Sequence, residues 1–123
     1  GDISAPLIVP RDIEKFPGHP VFGFAYAPSI YSFGPPGHPN RSAYDVFELT
    51  KKADTAQAPY FFLAMGIQDR FTGFLARHRE LAELFSTRGI KYEYHEMPGG
   101  HTYRFWDTQS VEAIRCMRRV LKF

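Results

Sequence analysis

The chain has 123 residues and a formal net charge of +2 at pH 7, one domain's worth of polypeptide and well short of a large enzyme fold. Aromatic residues are plentiful, 12 Phe and 7 Tyr, but no basic stripe is interleaved with them, so no nucleic-acid partner is expected. No apolar run approaches about 18 residues, so no membrane span is expected either. The first residues lack a basic and apolar signal segment, and composition assigns no compartment.

The two halves differ in texture. Residues 1–57 hold eight of the ten prolines and read as strand pieces set in long connections. Leu7-Ile8-Val9 is the only apolar cluster before residue 20. The run from Phe22 to Ile30 predicts a buried strand over 22–27, followed by a loop over 32–39. Within it, Gly34-Pro35-Pro36-Gly37-His38-Pro39 can continue neither strand nor helix. Ser42 to Lys52 predicts one short helix with Tyr44, Phe47 and Leu49 facing inward.

Residues 58–123 read as a regular β-α-β-α unit. Tyr60 to Met65 is continuously apolar and ends at Gly66, as a strand covered on both sheet faces should be. From Thr72 to Arg88, Phe74, Leu75, Leu81, Leu84 and Phe85 recur at helical spacing, and Gly89 supplies a stop. Lys91 to Met97 alternates Tyr92, Tyr94 and Glu96 against Glu93, His95 and Met97, which suits a strand near a sheet edge. A last helix is expected from Trp106 or Asp107, with Ser110, Ala113 or Ile114, Met117 and Leu121 inward. Arg115, Arg118, Arg119 and Lys122 at its end could touch an acidic partner, but cations near a helix C-terminus more often answer the helix dipole and solvent. Strands separated by helices imply parallel pairing through crossovers, so the fold class is α/β.

In a parallel sheet, reactive groups collect beyond the carboxyl ends of the strands. Asp69 follows the first regular strand, in Gly66-Ile67-Gln68-Asp69, and His101 follows the next, in Pro98-Gly99-Gly100-His101. Neighbouring strands would bring both to one sheet edge. An Asp accepting from one imidazole nitrogen sets the tautomer and leaves the other nitrogen to take a proton. Asp69 could instead shape a turn or cap a helix, and His101 could be a loop histidine bonded to backbone. Their joint placement favours the chemical reading.

These residues also carry a resemblance. Gly66-x-x-Asp69, the Arg79-x-Leu81 helix, Gly89-Ile90-x-Tyr92-x-Tyr94-x-Glu96-x-Pro98-Gly99-Gly100-His101 and Trp106 resemble the C-terminal part of an esterase family of α/β-hydrolases. That family includes S-formylglutathione hydrolase, enterobactin esterase and several carbohydrate esterases. The similarity is good over 58–123 and looser over 20–57, where Phe22 to Ser29 is similar to the strand after the nucleophile. It implies a single, partial α/β-hydrolase domain over 1–123, mostly parallel strands alternating with helices. It also implies that Asp69 and His101 are acid and base of a Ser–Asp–His triad. A small-molecule or carbohydrate ester substrate follows, with no cofactor. The chain departs from the family in having no Gly-x-Ser-x-Gly elbow. Ser4, Ser29 and Ser32 are the upstream serines with any claim, and none has the flanking glycines that permit the sharp turn. The nucleophile is therefore expected outside this sequence. The competing expectation is a non-catalytic binding or interaction module of the same ancestry.

The remaining candidates read as structure. Cys116, the one cysteine, excludes an internal disulfide and is expected as a buried thiol in a helix. His78 shares the apolar side of its helix and reads as a core histidine; His95 reads as a solvated or packed strand residue. His19 and His38 lie in Gly-His-Pro loops. His95 and His101 lack third and fourth ligands, so no metal site is expected. Trp106 either lines a substrate pocket or anchors the last helix. Tyr26, Tyr31 and Phe33 would suit a sugar or aryl ester, and equally core packing. A truncated parallel sheet would leave a sticky edge, so self-association or a partner, such as the remainder of the hydrolase domain, is expected.

Overall fold

The computed structural model describes residues 2–3, 29–69 and 73–122. The strand expected over 22–27 lies outside them, as do Leu7-Ile8-Val9, Ser4, His19 and Tyr26. The chain divides into two compact units, Leu7–Ala53 and Gly1–Pro6 with Asp54–Phe123.

In Leu7–Ala53, residues 29–33 are helical, and a turn leads to helix α1, Pro39–Ala43, and helix α2, Val46–Lys52. The expected loop is therefore shorter than 32–39. Ser32 and Phe33 still belong to a helix, and Pro39 opens the next, where its missing N–H costs nothing. His38 caps α1, its Nδ1 accepting from Asn40 N at 3.1 Å. Prolines in the turn have no N–H to offer, and their neighbours' carbonyls need another donor. Arg41 supplies it: Nε donates to Gly34 O at 2.8 Å and Pro35 O at 3.1 Å, and Nη2 donates to Ser29 Oγ at 3.3 Å.

The single helix expected over 42–52 is two. Asp45 Oδ1 accepts from Phe47 N at 2.8 Å, starting a new helix where the old one would have continued. The break shifts the helical register. Phe47 is buried as expected, but Tyr44 and Leu49 are exposed, at 62% and 51%.

In the other unit, three described strands form one sheet in the order β1, Asp2–Ile3; β2, Phe61–Gly66; β3, Tyr92–Met97. Both pairings are parallel, with Phe61 opposite Tyr92 and Gly66 opposite Met97. Helix α3, Phe74–Arg88, connects β2 to β3, and helix α4, Tyr103–Leu121, follows β3. This is a mixed α/β unit with a parallel sheet.

The two helices take opposite sheet faces, and side-chain alternation on β2 shows why its run is apolar throughout. Phe61 stacks on Phe85 of α3 with ring centroids 4.8 Å apart. Phe62, one residue on, packs with Ala113 and Cys116 of α4. On β3 the alternation sorts charges as well. Tyr92 lies against Phe85, and Glu96 receives both Arg79 Nε and Nη2, at 2.6 and 2.9 Å, on the α3 side. Glu93 pairs with Arg119 of α4 on the other side. Tyr94 donates to Glu96 at 2.7 Å, and burial together with that carboxylate holds its phenol above the ordinary range. His95 packs against Phe62 and bonds Glu93 at 3.0 Å, a packed strand residue as expected.

Helix α3 buries Phe74, His78, Leu81, Ala82 and Phe85. Leu75 and Leu84, also expected inside, are only partly covered. Gly89 ends the helix at φ 73°, a left-handed conformation that glycine adopts without penalty. The expectation for α4 needs correction at both its start and its face. The helix begins at Tyr103, and its buried side is Gln109, Ala113 and Cys116, with Val120 partly covered. Ala113 is common to both readings, but Ser110, Ile114, Met117 and Leu121 face outward. Apolar residues occupy two adjacent stripes of this helix, and size decides between them. Small Ala113 and Cys116 let the backbone approach Phe62, which larger side chains would hold off. Burial pushes the Cys116 thiol up, consistent with a structural role. No helix among the described residues is long and apolar enough to cross a membrane.

His78 is 2% exposed, with Nδ1 donating to Phe74 O at 2.7 Å. Burial lowers its pKa from 6.5, against smaller opposing effects of that hydrogen bond and of the Asp69 charge. The unfolded chain therefore takes up a proton at a pH where the native chain does not. Native stability is full above about 6.5 and falls as pH drops through that value toward the lowered native pKa, by at most about 1.4 kcal/mol per pH unit. Urea unfolding at pH 7.5 and 5.5 should show a smaller loss in His78→Gln than in the wild type; equal losses would exclude His78 as the source.

Candidate functional site

The site is built where the parallel ladder of β2 and β3 runs past the strand ends. Ile67 N donates to Met97 O at 3.0 Å and Gln68 N to Gly99 O at 3.0 Å, so the two following loops stay paired. Gln68 Oε1 accepts in return from Gly99 N. The glycines make this possible. A Cβ on Gly66 would lie 2.4 Å from Gly99 O, and one on Gly99, at φ 141°, would lie 2.7 Å from the Phe105 ring. Phe105 belongs to the first turn of α4, so the loop is held between β2 on one side and the helix on the other.

That pairing carries Asp69 and His101 to the same edge. His101 Nδ1 lies 3.1 Å from Asp69 Oδ2, with side-chain exposures of 20% and 9%. A carboxylate can only accept, so in this pairing Nδ1 carries the hydrogen and Nε2 is the nitrogen through which a proton could pass. Both residues singled out in the sequence are thus brought together at hydrogen-bonding distance.

Thr102 starts α4 as its cap, with Oγ1 accepting from Phe105 N at 3.3 Å and its own N–H donating to Gly100 O at 2.9 Å. Because the helix starts at Tyr103, Trp106 sits in its first turn and turns toward the histidine. The His101 and Trp106 rings meet edge to face, with centroids 4.9 Å apart and an 84° angle. Tyr103 in turn meets Trp106 at 5.3 Å and 89°. Trp106 therefore packs between His101 and Tyr103 at the start of the helix.

Three contributors were not visible as such in the sequence. Gln68 pins the second loop, Phe105 backs Gly99, and His78 lies buried within electrostatic reach of Asp69. Only Gly66 and Gly99 left a signal, as glycines placed just after strands.

Ser29 is buried against Arg41 at the start of the described helix, and Ser32 is an exposed residue of the same helix. No group of three or more His, Cys, Asp or Glu side chains suited to a metal occurs among the described residues.

Gly66→Ala should force the two loops apart and cost on the order of 2 kcal/mol of stability, as overpacking does. Gly100→Ala, whose Cβ would lie 3.3 Å from Gln68 O, should cost much less. Chemical denaturation of both variants checks the order, and equal losses would disprove the close approach at Gly66.

No family model, curated protein or solved structure matches the chain.

Proposed function

We propose that the chain carries the acid and base of a serine-type carboxylic ester hydrolase of the α/β-hydrolase class. The observation that supports this reading most directly is the Asp69–His101 hydrogen bond at the carboxyl ends of adjacent parallel strands. In the proposed reaction a serine hydroxyl supplied from outside this sequence attacks the ester carbonyl. His101 Nε2 takes the hydroxyl proton, and the Asp69 carboxylate stabilises the imidazolium that forms. His101 then returns the proton to the departing alcohol, leaving an acyl-serine, and water repeats the exchange to release the acid. Trp106, edge-on to His101, would line the pocket of a small-molecule or carbohydrate ester. The oxyanion donors would likewise come from outside this sequence.

A second reading, a binding module of esterase ancestry without catalysis, is favoured by one fact: the sequence contains no Gly-x-Ser-x-Gly. A fluorophosphonate probe followed by mass measurement separates the two for this chain, and no serine adduct is expected on the chain alone. In a polypeptide joining this chain to its nucleophile, Asp69→Asn and His101→Ala should each lower kcat for a simple aryl ester on the order of 10⁴-fold. Near-normal turnover by either folded variant would exclude the assigned role.

A further inference from the structure

Helix α4 has three faces. One is buried on the sheet through Ala113 and Cys116. A second is cationic, with Arg104, Arg115, Arg119 and Lys122. The third carries the exposed apolar side chains Tyr103, Val111, Ile114, Met117 and Leu121, all between 44% and 85% exposed. Five large apolar groups on one solvent-facing stripe is more than scattered surface exposure explains.

We propose that this face binds a second copy of the same chain, with the two α4 helices antiparallel across a two-fold axis. The argument is the order of side chains along the stripe. An isologous contact requires that each residue meet a complementary one when the helix is reversed on itself. Asp107 then meets Arg118 and Val111 meets Ile114, both pairs centred between Glu112 and Ala113, and Tyr103 meets Leu121, centred half a residue away on Glu112. The apolar pairs stack along the seam, and the acid of one copy faces the base of the other twice over. Asp107 and Arg118 are both exposed and have no ion-pair partner among the described residues, whereas Arg115 and Arg119 are already engaged by Glu112 and Glu93. A parallel arrangement would instead set Asp107 against Asp107 and Arg118 against Arg118. Arg104 and Lys122 fall at the open ends of the antiparallel pair, where solvent screens them.

The same geometry would seat Leu121 of the second copy in the open depression, about 560 Å³, lined by Tyr103, Arg104, Trp106, Asp107 and Ser110. Trp106 is the residue that touches His101. The contact stands on α4 alone and holds whether or not the chain takes part in ester hydrolysis. One helix pair makes a small interface, so the association should be weak and concentration-dependent.

Sedimentation equilibrium of the chain tests the proposal. The average mass should rise from 14.1 kDa toward twice that value between about 5 and about 500 µM. Ile114→Asp should remain monomeric throughout. Asp107→Arg and Arg118→Asp should each weaken association about tenfold or more, and the double charge swap should recover most of the loss. All these positions are exposed, and circular dichroism checks that each variant is folded. A monomer at every concentration would overturn the proposal. So would a dimer indifferent to Ile114→Asp, or a double swap no better than the single ones.

Discussion

The arrangement of the site depends on one close approach, that of Gly66 to the carbonyl of Gly99. Parallel strands ordinarily part company where their loops begin, because side chains crowd the space between them. Here the loops stay paired for two further hydrogen bonds, Ile67 to Met97 and Gln68 to Gly99. The space that a Cβ would need at Gly66 is occupied by backbone, and at Gly99 by the Phe105 ring. The two loops are thereby held at strand-like separation, and Asp69 and His101 meet at hydrogen-bonding distance. Neither side chain reaches across a gap; the backbone delivers both.

Helix α4 completes that geometry from the other side. Its first turn supplies Phe105 behind the glycine and Trp106 beside the histidine, while its middle docks on Phe62 through two small residues. Helix position and loop position are therefore coupled. Moving α4 by one turn would take Phe105 away from Gly99 and Trp106 away from His101 together. Arg119, paired with Glu93 on β3, adds a contact near the far end of the helix. Such an exposed pair contributes little stability by itself.

The legibility of these features in the sequence tracks how local their causes are. The continuous apolar run of β2, the alternation of β3 and the glycine stop of α3 are set within a few residues, and each appears where its pattern indicates. The Asp69–His101 pair was legible because strand ends and chain order suffice to align two loops. The faces of α4 were not. Apolar residues occur on two adjacent stripes, and choosing between them requires knowing that Phe62 needs a small neighbour. The break between α1 and α2 was also hidden, because Asp45 fits equally on an exposed helix face and at a cap. Only the hydrogen bond to Phe47 N distinguishes the two.

Sequence by itself determined the α/β class of the unit that carries the site and the placement of Asp69 and His101 just beyond adjacent strand ends. These follow from periodicity and position along the chain. Tertiary structure alone decided which side of α4 is buried, where that helix begins, and that His78, Gln68 and Phe105 stand around the pair. Those outcomes depend on volumes and contacts between segments far apart in sequence, and no local pattern encodes which of two apolar surfaces a neighbour will accept.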